Sequence, residues 1–327
     1  MKLVRSLLSL TLALSLLLLS ALSLASCGKK DDGSYTVGIC QLIQHPALDA
    51  ATQGFKDALT KALGDKVTFD EQNAQGDSGT CVTIVNSFVS KKVDLILANA
   101  TPALQAAANA TTSIPILGTS VTDYADALGI KNFGGTVGGN ISGTSDLAPL
   151  DQQAQMILDL VPDAEDIGLI YCSAESNSAF QAKAVREYLE AHGCLVADYT
   201  FTDSNDIAAV LNRACAECDA LYIPTDNTAA NCAESIGAIV KDKKIPVIAG
   251  EEGICRSCGV ATLSISYYDL GYKTGEMAAK VLTGEAKVSE LPIAYAAATT
   301  KKYNPGICSL LGVTPPEGYE SLGENRN

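Results

Sequence analysis

The feature that most constrains the fold is an alternation of strand-like and helical segments that runs along the chain and then repeats. The apolar run VDLILANA (93–100), for example, is followed by the helical segment PALQAAANA (102–110). The pattern VDLILANAT…SIPILGTS recurs as CDALYIPTDNT…KIPVIAGEE about 130 residues later. Strands that alternate with helices form parallel sheets covered by helices on both faces. The sequence therefore predicts an α/β protein with two similar lobes.

The length of the chain and the elements after the second repeat indicate two domains. With 327 residues, the chain exceeds what one hydrophobic core ordinarily holds. The Gly-, Ser- and Thr-rich segment NFGGTVGGNISGTSD (132–146) separates the repeats and is typical of a hinge. Further strand-like and helical segments follow the second repeat, so we expect several crossings between the lobes. The expected lobes are residues 35–145 plus about 262–292, and residues about 146–261 plus 293–327.

The N-terminal segment has the composition of a secretory signal. Lys2 and Arg5 form a basic head, and a run rich in Leu, Ala and Ser leads to the motif LASC, which ends at Cys27. The motif resembles the bacterial lipobox, in which the cysteine is lipidated and the chain is cut just before it. An uncleaved transmembrane anchor is the alternative. We expect a lipoprotein signal peptide over residues 1–26, lipidation at Cys27, a flexible tether over 27–34, and anchoring at the extracytoplasmic face of the cell membrane.

Charge and missing motifs argue against several classes of function. The net charge is −14 and no basic face is evident, which disfavours nucleic-acid binding. His45 and His192 are the only histidines, and no GxSxG, GxxxxGK[ST], GxGxxG or HExxH motif occurs. No nucleophile–base pair suggests itself. We therefore predict a protein that is not an enzyme and needs no cofactor, with an exported enzyme as the competing hypothesis.

Ten cysteines follow Cys27, and four of them form two CxxC pairs. CAEC supplies Cys215 and Cys218, and CRSC supplies Cys255 and Cys258. Four thiolates could bind zinc, but the segment between the pairs has the pattern of ordinary βα structure. Export also permits disulfides. The sequence leaves disulfides and free thiols open, and we predict no metal site.

Polar residues follow six of the predicted strands. These tracts are residues 41–46, 98–102, 118–123, 172–178, 224–228 and 250–253. Ligands bind open parallel sheets at the carboxyl ends of the strands, and N–H groups at helix starts suit an anionic group such as a carboxylate. Helix capping is the alternative for each tract, since Thr101, Ser178 and Thr228 are good N-caps. Six tracts, three from each repeat, favour one ligand-binding cleft between the lobes.

These features together resemble a type I periplasmic binding protein, and more narrowly the ABC-transporter substrate-binding lipoproteins of the TrpX-like group. The resemblance rests on VGICQLIQHPALDAATQGFKDAL, ANATPALQAA, IPILGTSVTD, NISGTSD and YNPGICSLLGVTPPEGYESL. It implies two Rossmann-like lobes joined by a multi-crossover hinge. It also implies a monomer that delivers a small solute, above all an aromatic amino acid, to ABC permease and ATPase subunits. A ligand-sensing receptor of the same fold, or a binder of a branched amino acid, nucleoside or sugar, is the alternative.

The resemblance implies ligand-binding residues only where the family's motifs match. They are Gln44, His45, Asn99, Thr101, Ser120, Val121, Thr122, Ser145, Asp146, Tyr171, Asn177, Ser178, Asp226, Asn227 and Glu251. A buried zwitterion needs a partner for each of its charges. As the carboxylate partner of an amino acid's ammonium group, we expect Asp226 as the first choice and Asp146 as the second. The helix start at Ser120–Thr122 or at Asn177–Ser178 would hold the carboxylate.

The side chain of an aromatic ligand needs an apolar slot with a stacking ring. Tyr171 and His45 are the candidate rings. For Tyr171, the alternative is a core aromatic residue on a buried strand.

Overall fold

The computed structural model describes residues 33–323. The predicted signal peptide, Cys27 and most of the tether lie outside the described residues, and the description below concerns the chain from Tyr35 onward. Within the described range, no helix combines the length and the hydropathy that crossing a membrane requires.

Thirteen strands in the described residues form two sheets. They are β1 Tyr35–Gln41, β2 Val67–Asn73, β3 Leu95–Asn99, β4 Ile116–Val121, β5 Ile141–Ser145, β6 Asp166–Cys172, β7 Leu195–Phe201, β8 Ala220–Ile223, β9 Val247–Ala249, β10 Ala261–Ser264, β11 Ala294–Tyr295, β12 Thr300–Tyr303 and β13 Glu320–Ser321. The first lobe holds the sheet β11-β5-β4-β3-β1-β2, in which all pairs are parallel. The second holds β13-β12-β10-β9-β8-β6-β7, where only β10 and β12 pair antiparallel.

Twelve α-helices of the described residues connect and cover these strands. They are α1 Pro46–Leu63, α2 Ser78–Lys91, α3 Thr101–Ala110, α4 Tyr124–Leu128, α5 Leu150–Leu160, α6 Ser176–Ala191, α7 Ile207–Glu217, α8 Asn227–Asn231, α9 Ala233–Lys243, α10 Glu252–Ser257, α11 Tyr267–Leu282 and α12 Pro305–Leu311. Two 3₁₀ turns occupy Gly64–Lys66 and Val288–Glu290. The prediction of two α/β lobes with parallel sheets and covering helices is confirmed.

Each sheet is buried on both faces, which explains the nearly continuous apolar strands. In the first lobe, α1 and α11 cover one face through residues such as Phe55 and Met277, and α2 and α3 cover the other through Phe88 and Leu104. In the second lobe, α5, α6 and α12 cover one face, and α7, α9 and α10 cover the other. This layering leaves the carboxyl ends of the parallel strands as the edge where loops gather.

Helix α11 is held against α1 by an unusually close approach of the two backbones. A Cβ atom at Gly271 would meet the carbonyl oxygen of Ala51, and one at Gly54 would meet that of Tyr268. Only glycine permits this distance between the helix axes. The start of α11, which follows a crossing from the second lobe, is therefore fixed on the first lobe.

The chain crosses between the lobes three times. The first crossing follows β5 at Ser145, the second lies between β10 and α11, and the third lies between β11 and β12. Since β10 pairs with β9 and β12, the second crossing lies after Ser264 rather than at about residue 262. Since β11 pairs with β5, the third lies after Tyr295 rather than at about 293.

Two segments of the second half and one part of the expected hinge depart from a regular βα pattern. The helical segment that follows β8 is divided at Cys232 into α8 and α9. In the segment after the second 3₁₀ turn, only Ala294 and Tyr295 form a strand, β11. The last residues of the expected hinge, 141–145, form β5 inside the first sheet, so only the loop before it has the predicted irregular backbone.

The CxxC cysteines are free thiols in the structure. Cys255 and Cys258 are fully buried, and burial raises the pKa of both above the ordinary thiol value. The part of the chain that the structure describes contains no group of three or more His, Cys, Asp and Glu residues arranged to hold a metal ion.

Candidate ligand-binding cleft

A narrow cavity lies between the lobes, where the carboxyl ends of strands from both sheets meet. It is lined by His45, Leu48, Ser120, Thr122, Asp146, Asn177, Thr225, Asp226, Asn227, Ala230, Glu251 and Tyr267. The cavity volume is about 10 Å³, which is room for about one water molecule. The lobes are therefore closed on each other.

Direct hydrogen bonds join the two lobes across this cavity. His45 Nε2 lies 3.2 Å from Asn227 Oδ1, and Asn231 Nδ2 donates to the carbonyl oxygen of Gln44 at 2.9 Å. Gln181 Nε2 reaches Thr122 Oγ1 at 3.5 Å. All three bonds connect a loop or helix start of one lobe with one of the other, so they exist only in the closed arrangement.

The hydrogen bonds around His45 define its tautomer. Asn227 Nδ2 donates to Glu175 Oε2 at 2.6 Å, so Asn227 Oδ1 faces His45 as an acceptor and Nε2 carries the proton. Burial lowers the pKa of His45, which keeps the ring neutral. Nδ1 then carries a lone pair, and this buried atom has no hydrogen-bond partner.

Three carboxylates of the second lobe bind the starts of its own helices. Glu175 accepts from the backbone N–H groups of Asn227 and Thr228 at 3.0 and 2.9 Å. Asp226 accepts from Ala229 N at 2.8 Å and from Cys172 N at 2.7 Å. Glu251 accepts from the N–H groups of Gly253 and Ile254. The N-terminal ends of α8 and α10 are thus already satisfied by side chains of this chain.

Burial makes two of these carboxyl groups, those of Asp226 and Glu251, difficult to ionise. It raises the pKa of Asp226 to about 7, with the nearby Glu175 as a second cause, and it raises the pKa of Glu251 to about 7. Among the described residues that line the cavity, none is Lys or Arg. The cavity therefore has buried acidic groups and no side-chain cation to pair with them.

Asp146 differs from the other carboxylates because one of its oxygens is unpartnered. Tyr267, the first residue of α11, donates its hydroxyl to Asp146 Oδ2 at 2.9 Å, and Asp146 N donates to the carbonyl oxygen of Val121 at 3.1 Å. Asp146 Oδ1 is buried without a partner. Burial raises the pKa of Asp146.

Two more unpartnered polar atoms belong to residues that line the cavity. Asn177 Nδ2 donates to Glu175 and to the carbonyl oxygen of Thr225, which leaves Asn177 Oδ1 as a free acceptor. Ser120 Oγ has no partner either. Ser120 adopts φ 53° beside a register shift between β4 and β5, and such strain is typical of functional sites.

The structure brings eight of the predicted site residues to the cavity wall. They are His45, Ser120, Thr122, Asp146, Asn177, Asp226, Asn227 and Glu251. Five others are buried but do not line the cavity: Asn99, Thr101, Val121, Ser145 and Ser178. Among these, Asn99 Nδ2 donates to the carbonyl oxygen of Leu48, and Ser145 Oγ donates to that of Thr122. These two bonds hold the backbone of Leu48 and Thr122, which line the cavity, in place.

Two predicted residues and one predicted helix start are placed differently. Gln44 is exposed and meets the other lobe through its carbonyl group alone. Tyr171 packs in the apolar cluster under α5 and α6, near Asp198, so it cannot stack on a ligand in the cavity. Ser120–Thr122 ends a strand rather than beginning a helix, because α4 starts only after Asp123.

Several residues that shape the cavity were not predicted from the sequence. They are Leu48, Glu175, Gln181, Thr225, Ala230 and Tyr267. Glu175 lies in the polar tract 172–178, but its role depends on contacts with Asn227 and Thr228, which are distant in sequence. No motif in the sequence around Tyr267 predicts that it lines the cavity, because the second crossing between the lobes brings it there.

Comparisons with known proteins agree with this architecture. The family profile described as ABC transporter substrate binding protein matches residues 36–322. The tyrosine-binding protein of Clostridioides difficile (strain R20291) is 39% identical over 260 residues, which cover 79% of this chain and 75% of that protein.

Two solved structures differ in how well they superpose. The ABC domain in complex with L-Trp from Streptococcus pneumoniae is 31% identical, with a TM-score of 0.82 over 87% of this chain and 96% of that one. The ligand-free, open structure of a substrate-binding protein with adhesive properties from Clostridium difficile is 40% identical, with a TM-score of 0.67 over 89% and 100%. The better match to the less identical complex agrees with the closed lobes described above. With its two-lobed type I fold and a family match over nearly all of the described residues, the chain belongs to the ABC transporter substrate-binding proteins.

Proposed function

We propose that this chain is a lipid-anchored receptor that captures an aromatic amino acid outside the cytoplasm and delivers it to an ABC importer. One observation carries the proposal: buried polar atoms without partners line a closed cavity between the lobes. An unpartnered buried polar atom costs about 1–3 kcal/mol, so several at one place indicate a missing hydrogen-bonding ligand.

The unpartnered atoms suit the ammonium group of an amino acid. Asp146 Oδ1, Asn177 Oδ1 and neutral His45 Nδ1 are acceptors, and an ammonium group has three N–H donors. Asp146 takes precedence over Asp226 in this role, because both oxygens of Asp226 already accept backbone N–H groups. Ser120 Oγ and Thr122 remain as donors for the ligand carboxylate.

The aromatic class of ligand is supported by the relatives and by the apolar part of the wall. One relative is named a tyrosine-binding protein, and another was solved with L-Trp. Leu48 from the first lobe and Ala230 from the second supply an apolar surface beside the His45 ring. The cavity has room for about one water molecule, so the lobes must move apart for a ring to enter and must close less tightly around a bound amino acid than they do here. Capture therefore belongs to an open form, and delivery belongs to a form closed around the ligand.

A ligand screen tests the proposed function. Thermal shift of the purified protein is measured with the amino acids, nucleosides and sugars at equal concentration, and we expect L-tyrosine, L-tryptophan or L-phenylalanine to give the largest rise. The ligand must also be recovered unchanged. A rise with a sugar or nucleoside alone, or conversion of the ligand to product, would reject the proposal.

The anchor at Cys27 is tested separately in the native host. A Cys27→Ser variant should lose incorporation of radiolabelled fatty acid and leave the membrane fraction, while its ligand-induced thermal shift is unchanged. Fatty-acid labelling of the variant equal to that of the wild type would exclude Cys27 as the lipidation site.

The ABC permease is the partner of the closed, monomeric receptor, as expected for the family.

A further inference from the structure

We infer that closure of the two lobes takes up protons at the carboxyl groups of the cleft, so that the ligand-free protein opens as the pH rises above neutrality. The inference concerns the lobes themselves and does not depend on which solute binds. Its basis is the way in which closure brings acidic groups of both lobes into one small cavity.

Closure moves three carboxyl groups from water to a buried position. Asp146 follows directly on β5 and is bonded to Val121 of the first lobe, whereas Asp226 and Glu251 belong to the second lobe. All three line the cavity, and each is at least nine-tenths buried. When the lobes move apart, the walls of this cavity face water. Closure therefore removes water from the three groups, and burial disfavours the charged form of a carboxyl group.

The surroundings of these groups add negative rather than positive charge. None of the described residues in the cavity wall is Lys or Arg. Lys302 and Arg256 bind Glu252, which does not line the cavity. Glu175 binds the same helix start as Asp226 and places a second acidic group beside it. Like charges at one buried site favour protonation.

Backbone N–H groups favour the charged form but do not outweigh burial. Asp226 and Glu251 each accept two such bonds. Even so, burial, and then Glu175, raise the pKa of Asp226 to about 7. Burial also raises the pKa of Glu251 to about 7, with Glu252 and Asp146 as smaller causes. The repulsion between Glu251 and Asp146 acts from one lobe to the other, so it opposes closure once both groups are charged.

The other titratable groups that face these carboxyl groups do not change the sign above pH 6.5. Burial lowers the pKa of His45 from 6.5, so its ring releases a proton on closure only below that pH. Tyr124 and Tyr267 face Asp146, and burial raises the pKa of both well above the ordinary value. Burial likewise raises the pKa of the nearby thiols, which stay neutral: Cys172, Cys232, Cys255 and Cys258.

Small-angle X-ray scattering of the purified protein, dialysed free of solutes, tests the inference. We expect the radius of gyration to be larger at about pH 8 than at about pH 6.5. Two carboxyl groups with a pKa of about 7 in the closed form lower the ratio of closed to open molecules about tenfold over this interval. A radius of gyration that is equal at the two pH values, or that falls at the higher one, overturns the inference.

Two double variants separate the cleft from the overall charge of the protein. Asp226→Asn, Glu251→Gln should have the same radius of gyration at both pH values. The matched control, Glu234→Gln, Asp242→Asn, removes two exposed carboxyl groups of the second lobe that lie outside the cavity wall, and it should keep the wild-type response. A cleft variant that keeps the response, or a control that loses it, overturns the inference.

The single variant Asp226→Asn keeps the test decisive if the double cleft variant does not fold. Asn also caps a helix start, so this variant should fold and should lose about half of the response. Circular dichroism verifies the fold, and an undiminished response overturns the inference. Because no ligand enters these measurements, the proposed function is tested independently by the ligand screen.

Discussion

At the residue scale, the cleft is organised around carboxylates with different tasks. Glu175, Asp226 and Glu251 hold backbone N–H groups, whereas Asp146 keeps one oxygen free and is oriented by Tyr267. The choice between Asp226 and Asp146 could not be made from the sequence, because a capping carboxylate and a ligand-binding carboxylate look the same there. Only the partners of each oxygen distinguish them.

The Asp146→Asn variant tests this division. It keeps the shape of the side chain and removes the charge, so we expect the affinity for the ligand ammonium to fall at least about a hundredfold, or about 3 kcal/mol. Calorimetry measures the loss. The Tyr267→Phe variant, which removes only the hydroxyl that orients Asp146, should lose less. Affinity equal to the wild type in Asp146→Asn would exclude this residue as the ammonium partner.

The buried carboxylates also predict how stability depends on pH. In the folded protein the pKa values of Asp226 and Glu251 are raised to about 7, above their ordinary values of 3.8 and 4.5. Folding is therefore favoured at low pH, and this contribution is lost as the pH rises through about 7. Between about pH 6.5 and 8, the loss is about 1 kcal/mol for each group. Burial also lowers the pKa of His45 from its ordinary value of 6.5. This shift makes the folded state more stable as the pH rises toward 6.5, so it opposes the effect of the carboxyl groups only below that pH.

Thermal unfolding without ligand measures this effect. We expect the Tm at about pH 8 to be several degrees lower than at about pH 6.5, because each 1 kcal/mol shifts the Tm of a protein this large by about 2–4 °C. The double variant Asp226→Asn, Glu251→Gln should lose most of the difference, since Asn still caps a helix start. A Tm that rises at the higher pH would contradict the raised pKa values.

At the element scale, the alternating pattern predicted the strands and helices well, because each is defined by its own apolar periodicity. The same periodicity could have predicted that Tyr171 is a core residue. Ile167, Leu169 and Tyr171 lie on the face of the sheet under α6, and Ile170 and Cys172 lie on the opposite face. The crossings were harder to place. β10 and β11 are short, and the sheet that each joins is decided by pairing with strands distant in sequence.

The packing of α11 on α1 makes a prediction of its own. In the Gly271→Ala variant the new methyl group would meet the carbonyl oxygen of Ala51, so we expect a loss of stability of about 1–3 kcal/mol. Urea unfolding measures it. Gly134→Ala is the matched control, since a Cβ at Gly134 meets no atom within 4 Å and should change stability little. Equal stability of both variants would mean that the helices separate at no cost.

At the scale of the whole molecule, two lobes and three crossings place loops from both sheets around one cavity. At the cavity, polar bonds such as those of His45 with Asn227 and of Asn231 with Gln44 join the lobes directly. A ligand that satisfies the acceptors of both lobes would add the interactions that favour closure. The same arrangement that forms the site therefore couples ligand binding to the conformation offered to the transporter.

A crystal structure of the protein with L-tyrosine or L-tryptophan tests the central claim most directly. We predict closed lobes around the ligand, with its ammonium nitrogen within hydrogen-bond distance of Asp146 Oδ1, Asn177 Oδ1 and His45 Nδ1. A ligand bound outside the cleft, or an ammonium group that contacts Asp226 and leaves Asp146 Oδ1 unpartnered, would contradict it.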